Sequence, residues 1–183
     1  MLTRILIIMS LAGLASACDN AASQLEAEAS VCEKALGIGA LELAEEHCQR
    51  ALGEPGNDIL TPQVRSERLY RLAGIKRQQA KYAEAAELLD QSLSLEQTLS
   101  GSGSLQFAGR QLERVLILAG QGRWPEGARL LEQTLPMSAQ LSEKEQASLA
   151  NILQRYIAQL QKIGQTEQAS RLQVAADSLK QQE

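Results

Sequence analysis

Four short turn-like segments punctuate the chain: Ile38 to Leu41, Gln79 to Tyr82, Gln121 to Trp124 and Ile163 to Thr166. Their last residues, Leu41, Tyr82, Trp124 and Thr166, stand 41, 42 and 42 positions apart. After each turn the same columns recur. A small residue comes first (Ala44, Ala85, Gly127, Ala169), and seven places on comes a second (Ala51, Ser92, Thr134, Ala176). Between them lie His47 and Cys48, Leu88 and Leu89, Leu130 and Leu131, Leu172 and Gln173. This i, i+3, i+4, i+7 spacing is the packing stripe of an amphipathic helix. A second helical stripe precedes the turns, clearest at Leu149, Ile152, Leu153, Tyr156, Ile157 and Leu160, and visible at Leu69, Leu72, Ala73 and Ile75. Each unit therefore reads as helix, tight turn, helix. Thr61 before Pro62 supplies a helix start, and Ser142 with Glu145 reads as a capping box. Gly53 to Asn57, Ser100 to Ser104 and Pro136 to Ser138 have turn and linker chemistry. The predicted units are 24–57, 62–99, 104–136 and 142–180, within a repeat domain over 24–183.

The start of the chain follows a different pattern. Met1 to Arg4 is a short basic opening, Ile5 to Leu14 an apolar run, and Ala15-Ser16-Ala17 a small-residue cleavage site, which together read as a secretory signal over 1–17. Ten apolar residues are too few to span a bilayer. Cys18 directly after this site makes the stretch resemble the lipobox of bacterial lipoproteins, although Ala15 stands where that family most often has Leu. The resemblance implies that Cys18 is lipidated and becomes the mature N-terminus, with 18–23 as a lipid-anchored linker. Plain secretion, or a leader that forms the protein's own first helix, are the alternatives. The expected location is the bacterial cell envelope, facing the periplasm. Asp19 resembles an inner-membrane retention signal and favours that membrane over the outer one. Four or five residues between Cys18 and the first helix would hold the domain within about 15 Å of the bilayer.

The repeat motif resembles the tetratricopeptide repeat (TPR) family. Leu69, Leu72, Ala73, Tyr82, Ala85, Leu89 and Ser92 match its pattern of a large apolar residue, a Leu-small pair, a turn tyrosine, and then alanine and large positions on the second helix. Lys76 departs from the pattern, standing where the first helix usually has Tyr. The long period is similar to that of kinesin-light-chain-like members. The resemblance implies an all-α solenoid of about four hairpins, with an irregular helical bundle as the alternative. It also implies that the first helices line a groove for protein or peptide partners. The groove candidates are Tyr70, Arg77, Gln78, Arg110, Glu113, Asn151 and Gln154. Gln173 and Asp177 replace the leucines of earlier second helices, as a polar terminal cap would.

The register also bears on the cysteines. In an antiparallel hairpin turning near Gly39 and Ala40, Cys32 and Cys48 face each other, and Ala35, Ala44 and Ala51 allow close approach. A Cys32–Cys48 disulfide is expected, with two buried free thiols as the alternative.

Composition narrows the function. The 183-residue chain is 44% hydrophobic and only 3% aromatic, with a formal charge of −4, which disfavours nucleic acid as a partner. One histidine makes Ser-His-Asp or Cys-His catalysis and His-rich metal sites poor readings. Cys32, His47 and Cys48 cannot assemble four zinc ligands. Glu45 with Glu46, and Glu143 with Glu145, read as solvated helix faces. No phosphate loop, CxxC or HExxH motif is present. No enzyme activity, catalytic residue, cofactor or metal is expected. The chain reads as a membrane-anchored periplasmic adaptor in an envelope assembly, with membrane-proximal protein partners. The alternative is a ligand-holding or structural lipoprotein that takes a peptide, lipid or cell-wall fragment.

Overall fold

A computed structural model describes residues 2–54 and 59–180, with side chains from Asn20 to Leu179. The Cys18 side chain and residues 55–57 of the first inter-unit linker lie outside the described set. The described residues form α1 (Leu2–Gly37), α2 (Leu41–Ala51), α3 (Pro62–Gln78), α4 (Tyr82–Ser100), α5 (Leu105–Gly120), α6 (Trp124–Thr134), a 3₁₀ segment (Leu135–Gln140), α7 (Glu143–Lys162) and α8 (Thr166–Lys180). Consecutive helices pack as hairpins, α1 on α2, α3 on α4, α5 on α6 and α7 on α8, and each hairpin packs on the next. The backbone of 18–23 continues α1 where a linker was expected. Among the described residues no helix is long and apolar enough to cross a membrane.

The helix starts use the expected chemistry. Thr61 Oγ1 accepts from the Val64 N–H at 3.3 Å, and Ser104 Oγ accepts from the Phe107 N–H at 3.0 Å. Ser142 and Glu145 close a full capping box. The four intra-hairpin turns are one structure repeated. In the first, the Gly39 N–H donates to Leu36 O at 3.0 Å and the Ala40 N–H to Ala35 O at 2.9 Å, the Schellman pair. The same pair recurs around Ala80, Gly122 and Gly164. The motif requires a left-handed residue, with φ of 73° at Gly39, 75° at Gly122 and 78° at Gly164. Ala80 adopts φ 60° at the same column, and its Cβ makes that conformation costly.

Three clusters of buried side chains follow the chain. The first gathers Cys32, Ala35, Ala44, Cys48, Leu72 and Ile75. The second is built on Ala73, Ala85, Leu89, Leu93 and Ile117. The largest includes Val115, Leu131, Leu149, Leu153, Tyr156, Leu160 and Leu172. The small column has a packing reason. A Cβ at Gly127 would overlap the Tyr156 hydroxyl, which donates to Val115 O at 2.6 Å, and a Cβ at Gly120 would overlap the Tyr82 ring. Trp124 packs edge-on against Tyr156 with ring centroids 5.0 Å apart.

Cys32 and Cys48 are disulfide-bonded, with Cα atoms 5.2 Å apart. This bond ties α1 to α2 and contributes about 3 kcal/mol by restricting the unfolded chain.

Ala80→Gly should stabilise the protein by about 0.5–1 kcal/mol, since relief of the left-handed strain exceeds the added unfolded-state freedom. Urea denaturation should show a higher midpoint at unchanged slope, and a lower midpoint would refute the strain.

Candidate partner-binding surface

The first helices of successive hairpins are joined by a ladder of ion pairs. Arg68 on α3 pairs with Glu26 on α1, and Arg71 with Glu33. Arg71 also reaches Glu67 at 3.5 Å, and Arg110 on α5 reaches Glu67 at 3.4 Å. Arg77 Nε donates to Glu113 Oε1 at 2.5 Å, a second link between α3 and α5. Between α1 and α3 the ladder lines an open cleft of about 340 Å³ with Glu26, Glu33, Gln63, Glu67 and Arg71 on its walls.

Several of these cations also serve the interior. Arg68 donates to the Ala51 carbonyl at 2.5 Å, which satisfies an otherwise open group at the end of α2. Arg110 is 3% exposed; its Nε donates to Ser92 Oγ at 2.8 Å and Nη1 to Gln106 O at 3.0 Å. Ser92 Oγ in turn donates to Ser66 O at 2.7 Å. Fully buried Glu96 keeps a carboxylate oxygen 3.4 Å from Arg110 Nη2 without hydrogen-bond geometry. The Arg110 guanidinium also lies over the Tyr70 ring, 5.2 Å from its centroid.

The predicted groove residues therefore divide. Gln78, Asn151 and Gln154 are exposed. Tyr70 is half-buried against the second cluster, and burial, reinforced by Glu113 and Glu67, pushes its hydroxyl pKa up. Arg77 is half-buried in its ion pair. Arg110 and Glu113, at 3% and 7% exposure, are interior groups and do not line an outer groove as expected. The reason is helical phase. The 42-residue repeat aligns Asn151 and Gln154 with Gly109 and Leu112, so Arg110 and Glu113 sit about 100° further round α5, toward α3 and α4. Beyond α5 the ladder stops, and Leu116, Ala119, Trp124, Ile152, Arg155 and Tyr156 meet instead. Arg155 is exposed and has no ion pair among the described residues.

Lys76, the departure from the repeat motif, is 4% exposed and joins two hairpins. Its ammonium donates to Glu45 on α2 at 2.6 Å and to Glu84 on α4, while Lys81 donates to Glu45 at 2.7 Å. Glu45 is thus a structural acid, unlike the solvated face expected of it. Hydrogen bonds from Lys76 and then Lys81 lower its pKa from 4.5 to about 2. Burial pulls the Lys76 pKa down, but its bonds to Glu45 and Glu84 outweigh this and leave it raised. His47 Nδ1 is hydrogen-bonded to Glu28 Oε2 at 2.5 Å, a further link between α1 and α2. No group of three or more His, Cys, Asp or Glu able to hold a metal occurs among the described residues. Gln173 Nε2 donates to Asp177 at 3.0 Å on the outer side of α8, whose Val174 is exposed.

No protein-family model matches this sequence, and no curated protein does. Solved structures do resemble the fold. Two crystal structures of kinesin light chain nearly identical TPR-like repeats from Podosopora anserina superpose with TM-scores of 0.65 and 0.63 at 20% identity. Each match covers 86% of this chain, and 74% and 75% of those chains respectively. BtubC (BKLC) from P. vanneervenii gives a TM-score of 0.51 at 14% identity over 87% of this chain and 81% of that one. The described chain is an all-α array of four consecutive hairpins with TPR-like repeats.

The Glu45 cluster generates a pH prediction. Its folded pKa lies below the unfolded value of 4.5, so its contribution is present above pH 4.5 and is lost as pH falls toward 2. Glu45→Gln should flatten the acid limb of stability against pH in that window, measured by urea midpoints. An unchanged acid limb would exclude Glu45 as its source.

Proposed function

We propose that this protein is a lipid-anchored scaffold that holds a membrane-proximal protein partner on the face of its first helices. The observation carrying this reading is the run of first helices through four hairpins, with Gln78 exposed on α3 and Asn151, Gln154 and Arg155 exposed on α7. Amides and a guanidinium without an ion pair offer hydrogen bonds to a polypeptide backbone and to side-chain carboxylates. The cleft between α1 and α3 is open, with Ala29 and Val64 among charged and amide side chains, which suits a chain laid across a surface better than an enclosed apolar ligand. Helical repeats generally provide extended surfaces of this type.

The leader sequence and Cys18 support anchoring in a bacterial envelope. Leu25 packs against Gly53 at the open end of the first hairpin, and Cys18 precedes it by seven residues, about 10 Å along a helix. A lipidated Cys18 keeps the repeat array beside the bilayer, where membrane-bound partners are concentrated.

The test is crosslinking in intact cells followed by purification of the full-length protein. Asn151→Ala, Gln154→Ala and Arg155→Glu combined should cut recovery of a defined envelope partner about fivefold or more, as expected for losing roughly 1 kcal/mol, at unchanged melting temperature. Cys18→Ser should move the protein out of the membrane fraction. Co-purification of a small molecule or glycan in place of a protein would contradict the scaffold reading and favour a ligand-holding lipoprotein.

A further inference from the structure

We propose that the Cys32–Cys48 bond is an oxidation checkpoint: the first hairpin docks, and the cleft between α1 and α3 forms, only in the oxidised chain. The scaffold reading is not needed for this, and neither is lipidation. The hairpins have unequal cores. The last one buries Leu149, Leu153, Tyr156, Leu160 and Leu172, each at most 2% exposed. Among its described residues the first buries Cys32, Ala35, Ala44, Cys48 and Ala51, and the larger Leu36 and Leu52 that pack on them are only partly buried. Alanines bury little apolar area, so α1 and α2 gain far less from one another than α7 and α8 do. Among the described residues the first hairpin packs on one other hairpin, through α2 against α3, so within this array its stability is its own small core plus that junction.

That junction is organised around the disulfide. Leu72 and Ile75 of α3 belong to the same buried cluster as the two cysteines. Arg68, Arg71 and Lys76 of α3 take their partners Glu26, Glu33, the Ala51 carbonyl and Glu45 from the first hairpin. If α1 and α2 separate, those acids leave together, the cleft loses one wall, and the apolar face of α3 is uncovered.

The order of events follows from access. Cys32 is 0% and Cys48 3% exposed, so the docked hairpin shields both sulfurs from a reagent. Oxidation therefore precedes docking. One thiolate attacks a dithiol-type oxidant's disulfide to give a mixed disulfide and a free oxidant thiol, and the second thiolate then attacks the cysteine sulfur of the mixed disulfide and displaces the oxidant's bound sulfur. The two cysteines lose two protons and two electrons, and the oxidant leaves as a dithiol. Once docked, the bond is protected from small thiols.

Amide hydrogen exchange on the full chain tests the proposal, comparing the oxidised protein with Cys32→Ser/Cys48→Ser and with Cys32→Ala/Cys48→Ala, which buries no hydroxyl. In both variants, amides of residues 24–51 should lose their protection and exchange within about tenfold of an unstructured chain, while α5 to α8 stay within about twofold of the oxidised protein. Protection of more than about tenfold that remains over 24–51 in the alanine variant would show that docking does not need the bond. Loss of protection extending equally through α8 would show that the bond controls the whole array and not one unit.

Discussion

A hairpin of two amphipathic helices cannot bury both sides of its apolar surface by itself, and the rest of this structure follows from that constraint. Each hairpin closes on itself along one stripe and must close on its neighbour along another. Both closures require the second helix to leave the turn at the same angle every time. The four Schellman turns provide this, and even Ala80 accepts a left-handed backbone to keep the register. The repeat length is thus a structural quantity, since one residue more or less would rotate a helix by about 100° and misplace its stripe.

Given equal geometry, the three junctions differ in chemistry. Between the first and second hairpins the contact combines a disulfide-centred cluster with the Lys76 ammonium held between Glu45 and Glu84. Between the second and third, Arg110 enters the interior and gathers Ser92, Glu96 and Glu67. Between the third and fourth, Tyr156 fills the space left by Gly127 and ties its hydroxyl to Val115. Buried ions are costly unless paired, and removing one member leaves its partner stranded. The first two junctions therefore tolerate few substitutions, although they contain much of the charge. The exposed side of the first helices shifts along the array, from an ion-paired ladder to an apolar floor beside Arg155.

Much of this was legible in the chain because it is local or periodic. Turn columns, caps and alternating stripes identify hairpins directly, and the pairing of Cys32 with Cys48 follows from counting around a single turn. What escaped depends on partners some forty residues away. Arg77 with Glu113, and Arg110 with Glu67, are invisible to a local reading because a charged side chain on a helix looks the same whether it meets water or an acid on the next unit. Read locally, Arg110 and Glu113 look outward for that reason, whereas a strict 42-residue alignment with Asn151 and Gln154 turns them inward. Lys76 stood out as a motif departure, but only the acids on α2 and α4 reveal that it replaces an aromatic contact with an ionic one.

The proposed scaffold would meet its partner on the first-helix face and not on the second-helix face. A photo-crosslinking amino acid placed at Gln154 on α7, or at exposed Glu87 on α4, in the full-length protein within intact cells tests this most directly. A discrete protein adduct is expected from position 154 and none from position 87. An adduct from position 87 with none from position 154 would contradict it.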